Sequence, residues 1–110
     1  MSRILVVEDE ETLAEAIAFL LGKEGFEVEI ATSGPAAIES FDLNGADLIL
    51  LDLMLPKMNG IDVCRILRQE STVPIIMLTA KSQAKDRQEA IKAGTSAFLV
   101  KPFSPLEIGR

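Results

Sequence analysis

Glu8 with Asp9 behind it, Asp52, Thr79 and Lys101 each come directly after a short run of branched apolar residues. Those runs are Ile4-Leu5-Val6-Val7, Leu48-Ile49-Leu50-Leu51, Val73 to Leu78 and Ala97-Phe98-Leu99-Val100. If they are parallel strands of one sheet, the five polar side chains gather at its carboxyl edge, where open α/β sheets bind their ligands. Two carboxylates 4 Å apart repel by about 4 kcal/mol at an effective dielectric of 20, so such a cluster calls for a cation. The chain has no histidine and one cysteine, Cys64, which leaves no imidazole ligand, no cysteine-built zinc site and no internal disulfide. Oxygen ligands remain, and Mg²⁺ is the hard, octahedral ion that suits them and bridges phosphate oxygens. A carboxylate held against Mg²⁺ can act as the nucleophile that takes a phosphoryl group. Thr79 and Lys101 can then hydrogen-bond or neutralise its equatorial oxygens. Asp52 is the central candidate.

Taken singly, each residue has a plainer explanation. Glu8-Asp9-Glu10-Glu11 could be carboxylates favoured by the positive end of a helix, Asp52 a turn former ahead of Pro56, Thr79 a cap and Lys101 a solvated surface lysine. Those explanations do not predict placement after four different strands at one edge, which the site reading does. Cys64, flanked by Val63, Ile66 and Leu67, reads as a small core or boundary residue without chemistry. The Met54 side chain, two residues past Asp52, could shade the site.

The elements that position these residues follow from the apolar pattern. The three runs Ile4–Val7, Leu48–Leu51 and Val73–Leu78 suit interior parallel strands. Glu27-Val28-Glu29-Ile30-Ala31 alternates polar with apolar, as a strand near the sheet margin would. Ala97–Val100 completes five strands before proline in Lys101-Pro102 ends the ladder. Leu13, Ile17, Leu20 and Leu21 recur at helical spacing, and Gly25 stands where a helix end favours a left-handed residue. Ser33-Gly34-Pro35 opens a second helix that Asn44-Gly45 closes, Asn59-Gly60 precedes a third, and Asp86 to Ala93 forms a fourth that Gly94 stops. The predicted order is β-α-β-α-β-α-β-α-β, a doubly wound open sheet with helices on both faces.

Composition narrows the function classes. At 110 residues one domain is expected, and 48% apolar against 25% charged residues is a globular balance. Eleven Lys and Arg against 17 Asp and Glu give a net charge of −6, which argues against this segment clamping nucleic-acid phosphates. The first apolar run is too short for a signal peptide and no later run is long enough to span a membrane, so the expected compartment is the cytoplasm. No Gly-rich loop follows the first strand, which sets a nucleotide-binding reading aside. Aspartate-nucleophile phosphatases carry Asp-x-Asp, whereas position 54 is Met.

Four segments together resemble the receiver domains of two-component response regulators, and the likeness runs nearly the whole chain. Ile4-Leu5-Val6-Val7-Glu8-Asp9-Glu10 looks like the family's opening acidic motif. Asp52-Leu53-Met54-Leu55-Pro56-Lys57-Met58-Asn59-Gly60 reproduces its Asp-x-x-x-Pro-x-x-x-Gly signature, and Leu78-Thr79-Ala80 and Lys101-Pro102-Phe103 supply the rest. The resemblance implies a flavodoxin-like, five-stranded sheet of order 2-1-3-4-5, with residues 1–110 as one receiver domain. It implies that Asp52 accepts a phosphoryl group from a sensor histidine kinase. Asp9, Asp52 and the Met54 carbonyl would bind Mg²⁺ directly, and Glu8 would act through water. It also implies a switch in which Thr79 moves toward the phosphate and Phe98 turns inward, a cis Lys101–Pro102 bond, and a phosphoacceptor that promotes its own phosphorylation and dephosphorylation. The runner-up is an interaction module of the same fold that works without phosphate.

Two features depart from the family. Gly94-Thr95-Ser96-Ala97-Phe98 stands where the family often reads Gly-Ala-Asp-Asp-Tyr, so the acidic residues that pair across the dimer face of one large DNA-binding subclass are missing. Phe98 lacks a hydroxyl, which leaves packing alone to drive its switch. Ser104-Pro105-Leu106-Glu107 spells a capping box with proline at the first helical position, yet only Leu106 to Arg110 follow, including Gly109. The expectation is a truncated fifth helix from a longer regulator. The face it leaves bare would lower stability, or be hidden by dimerisation or segment exchange.

Overall fold

The branched apolar runs form the interior of a parallel sheet, and glycine, proline and capping side chains mark where each crossover helix starts and stops. The computed structural model describes residues 2–79 and 86–100. The elements are β1 (Arg3–Val7), α1 (Glu11–Lys23), β2 (Glu27–Ala31), α2 (Gly34–Asn44), β3 (Leu48–Asp52), α3 (Gly60–Arg68), β4 (Ile75–Thr79), α4 (Arg87–Ala93) and β5 (Ala97–Val100). All strand pairs are parallel, in the order β2-β1-β3-β4-β5. This is the flavodoxin-like order, and the alternating Glu27–Ala31 strand lies at one edge of the sheet as its pattern predicts.

The period of two along each strand divides the core into two layers. Ile4, Val6, Leu50 and Leu78 face α1 and pack with its Ile17 and Leu21. Leu5, Val7, Ile49, Leu51, Ile75 and Met77 face the other way, onto Ala37 of α2, Val63, Cys64 and Leu67 of α3, and Ala90 and Ala93 of α4. Right-handed crossovers put helices on opposite faces when the winding changes direction. Here it changes between β1 and β3.

Local signals account for the boundaries. The Ser33 hydroxyl accepts from Ala36 N–H at 3.2 Å at the start of α2, and Pro35 occupies the first turn. Gly25 and Gly94 take positive φ, +96° and +104°, just after their helices. Two expectations need correction. The Val73–Leu78 run is a strand only from Ile75, because Pro74 has no N–H to give the ladder. Its carbonyl still accepts from Ile49 at 3.0 Å, while Val73 N–H turns to the Ser71 hydroxyl at 3.0 Å. Asp52 and Thr79 are the last residues of β3 and β4 and not the first beyond them. The predicted helix start at Ser104 lies outside the described residues. Among the described residues no helix is long and apolar enough to cross a membrane.

Candidate metal centre

The site is built where β1 and β3 run side by side. Val7 pairs with Leu51, so continuing the register by one residue sets Glu8 beside Asp52. Both fall on the α1 side of the sheet by strand alternation, and Asp9 follows at the rim. Among the described residues the buried polar or charged side chains are Glu8, Asp52 and Thr79, at 1%, 5% and 1% exposure; Asp9 is exposed. One carboxylate oxygen from each of Glu8, Asp9 and Asp52 lies within 4.8 Å of the other two. At that spacing and an effective dielectric of 20, each pair repels by about 3–4 kcal/mol, reduced by solvent at the exposed Asp9. The three residues could hold a metal ion, and their all-oxygen donor set suits a hard cation.

The Glu8 and Asp52 carboxylates each accept from the backbone N–H two residues on. Glu8 N–H donates to the Ala31 carbonyl at 3.0 Å, and Glu8 Oε2 accepts from Glu10 N–H at 3.2 Å. Glu10 is the N-cap residue of α1 and makes no side-chain cap bond, so Glu8 serves one of the donors that helix leaves open. The plain helix-terminus role and the cluster role therefore belong to the same carboxylate. Asp52 Oδ1 accepts from Met54 N–H at 3.1 Å. Met54 itself is 60% exposed and stands in solvent.

The loop from Leu53 to Asn59 is held from both ends. Leu53 N–H donates to the Leu78 carbonyl at 3.0 Å, extending the β3–β4 ladder past Asp52. Gly60 N–H donates to the Leu53 carbonyl at 2.8 Å, and a Cβ on Gly60 would collide with the Asp52 carbonyl oxygen. Only glycine lets α3 start so close behind the central aspartate. Between them Lys57 takes φ +69° while Met58 N–H reaches back to the Pro56 carbonyl at 2.7 Å, a γ-turn that a non-glycine residue rarely adopts. Residue type gives no hint of this turn, because lysine is not a residue that favours positive φ.

Thr79 lies one residue past Leu78, the β4 partner of Asp52. Its Oγ1 is buried and finds no hydrogen-bond partner among the described residues. Leaving a buried hydroxyl unsatisfied costs about 1–3 kcal/mol, and such exceptions concentrate where function needs the group. Phe98 pairs with Met77 across β4 and β5, on the same side of the sheet as Thr79. It packs half-buried against the α2–α4 layer. The Arg87 guanidinium lies over its ring, 5.4 Å from the centroid, a contact that the sequence, read for packing alone, does not announce. Cys64 is fully buried and its thiol donates to the Ala93 carbonyl at 3.4 Å; burial pushes its pKa up despite nearby Arg68 and Arg65. Lys101 and the Lys101–Pro102 bond lie outside the described residues.

Fold and side-chain cluster together define a class: a flavodoxin-like α/β domain with an acidic cluster at the point where its winding reverses. The chain belongs to the response regulator receiver domain family, whose profile matches residues 4–109. It is 51% identical over 108 residues to the sensory transduction protein RegX3 of Mycobacterium tuberculosis, covering 98% of this chain and 48% of the relative. It is 47% identical over 106 residues to the DNA-binding response regulator MtrA of Mycobacterium leprae, covering 96% and 47%. Among solved structures it is similar to a putative response regulator from Chloroflexus aurantiacus, with a TM-score of 0.91 and 34% identity over 98% of this chain and 91% of that one. The chain spans about half the length of the curated relatives it matches.

Proposed function

We propose that this chain is a phosphorylation-controlled signalling switch, with residues 1–110 as one receiver unit and Asp52 as the phosphoryl acceptor. The observation that carries the reading is that the buried polar side chains among the described residues, Glu8, Asp52 and Thr79, stand at the carboxyl ends of three neighbouring strands. An Asp52 carboxylate oxygen attacks the phosphorus of the donor as the bond to the leaving group breaks. The leaving group takes that electron pair, and an acyl phosphate forms. With a sensor histidine kinase as donor the leaving group is an imidazole nitrogen; with acetyl phosphate it is acetate. Glu8, Asp9, Asp52 and the Met54 carbonyl are the groups proposed to hold Mg²⁺, which when bound supplies charge neutralisation for the phosphoryl oxygens. Thr79 donates its hydroxyl to one of those oxygens and the Lys101 ammonium pairs with another.

The phosphoryl group gives Thr79 a partner, and its movement frees room on the side of the sheet where Phe98 packs. A face made by α4 and β5 then changes shape for an output partner, either a domain of the same regulator or a separate protein. Thr95, Ser96 and Ala97 leave that face without the acidic pair of the usual DNA-binding dimer, so a different dimer contact is proposed for this chain, even though MtrA, 47% identical, is named as DNA-binding. The cytoplasm is the compartment in which such a kinase partner would act. Calorimetric titration with Mg²⁺ tests the ligand set: Asp9→Asn should weaken binding by about tenfold or more, whereas Lys101→Ala should leave it unchanged. Equal Mg²⁺ affinity in wild type and Asp9→Asn contradicts this set and favours the phosphate-independent interaction module.

A further inference from the structure

We propose that Arg87 is the positioning residue for Phe98, holding the aromatic ring in its present rotamer through the ring face and so setting how readily the switch turns. The inference rests on the switch reading above and assigns it a residue that the acidic site does not contain. Arg87 is the first residue of α4, the helix that covers the sheet face carrying Met77 and Phe98. Its guanidinium carbon stands 5.4 Å from the ring centroid, within the range of about 6 Å over which a cation is attracted by an aromatic face. Phenylalanine has no hydroxyl to anchor it, so among the described residues this ring is held by apolar packing and by the Arg87 guanidinium.

The pose is not a surface accident, because it leaves a polar group short. Arg87 Nε is buried and has no hydrogen-bond partner among the described residues, so stacking on Phe98 is adopted at the expense of a hydrogen bond. The opposite end of α4 is fixed. Cys64 donates its thiol to the Ala93 carbonyl, and Arg68 Nε donates to the Gly94 carbonyl at 2.8 Å, so the helix is pinned to α3 at its carboxyl end. Its amino end reaches β5 through Arg87 and the ring. When the ring turns, this contact must break, and a contact of this kind biases a two-state population by about two- to fivefold.

Fluorine NMR on the full chain labelled with fluorophenylalanine tests the assignment, with the Phe98 resonance identified among the five phenylalanines by Phe98→Leu. Arg87→Gln keeps the length of the side chain and removes its charge, and Arg87→Lys keeps the charge. In the untreated chain Arg87→Gln should shift the Phe98 resonance, while Arg87→Lys should stay near wild type. With acetyl phosphate and Mg²⁺, Arg87→Gln should reach half-maximal response at about two- to fivefold less phosphodonor. An unmoved Phe98 resonance in Arg87→Gln, or the same shift in Arg87→Lys, overturns the proposal. If no chain responds to acetyl phosphate, the switch reading fails separately, and the untreated spectra still decide whether Arg87 holds the ring.

Discussion

Asp52 sits at 5% exposure with two other acidic side chains beside it and one of its oxygens already accepting the Met54 N–H. From that position at the sheet edge the carboxylate lies in one cluster with Glu8 and Asp9, where the proposed cation and phosphoryl group would meet it. The Thr79 hydroxyl, buried and without a partner among the described residues, is a donor in waiting. Thr79→Val keeps the shape and removes the hydroxyl, so it should stabilise the untreated chain by up to about 1 kcal/mol in urea unfolding while abolishing the phosphate-driven NMR change. A loss of stability of similar size would show that the hydroxyl already serves the resting fold. Cys64 gives a pH prediction with a definite sign. Burial raises its thiol pKa above 9.0, so above that pH the folded chain holds a proton that the unfolded chain has released. Stability is unaffected by this group below 9.0 and falls as pH rises past it. Urea midpoints should drop there in wild type and drop less in Cys64→Val; parallel curves would show that Cys64 does not contribute.

At the scale of elements, the site depends on how closely α3 starts behind β3. Gly60→Ala places a Cβ against the Asp52 carbonyl and must push the helix or the strand end away. The expected cost is about 1–3 kcal/mol, together with weaker Mg²⁺ binding by calorimetry, because the backbone that aims Asp52 moves with it. Unchanged Mg²⁺ affinity in a folded Gly60→Ala chain would show that the spacing is not what holds the carboxylate. Much of this level is legible in the sequence, since each sign has a local cause. Glu27–Ala31 alternates because one face of an edge strand meets water, Gly25 and Gly94 take the left-handed conformation that stops helices, and Ser33 and Asn59 cap the helices that follow them. The gathering of Glu8, Asp9 and Asp52 is legible too, because parallel strands bring their carboxyl ends to one edge. What stays hidden is set by tertiary contact. The γ-turn at Lys57 is imposed by closure of the loop onto Gly60, and Arg87 meets Phe98 only after α4 packs across β5.

At the scale of the whole molecule, a chain of net charge −6 folds with three carboxylate groups forced together at one edge. A divalent cation bound among them would offset their mutual repulsion, so the proposed metal binding would be linked to stability. Mg²⁺ at about a hundred times its dissociation constant should add roughly 2.7 kcal/mol and raise the melting temperature by roughly 10 °C over the chelated chain. Asp9→Asn, with one charge fewer, should melt higher than wild type in chelator and gain less from Mg²⁺; identical melting of wild type with and without Mg²⁺ would remove the metal from the account. The claim on which all of this turns is that Asp52 takes up a phosphoryl group in a reaction that needs the metal. Intact-mass spectrometry after incubation with acetyl phosphate reads it directly. One hydroxylamine-sensitive phosphoryl adduct is expected on the wild-type chain in Mg²⁺, and none in chelator or on Asp52→Asn. An adduct of wild-type yield on Asp52→Asn, or one that forms equally well without Mg²⁺, would contradict it.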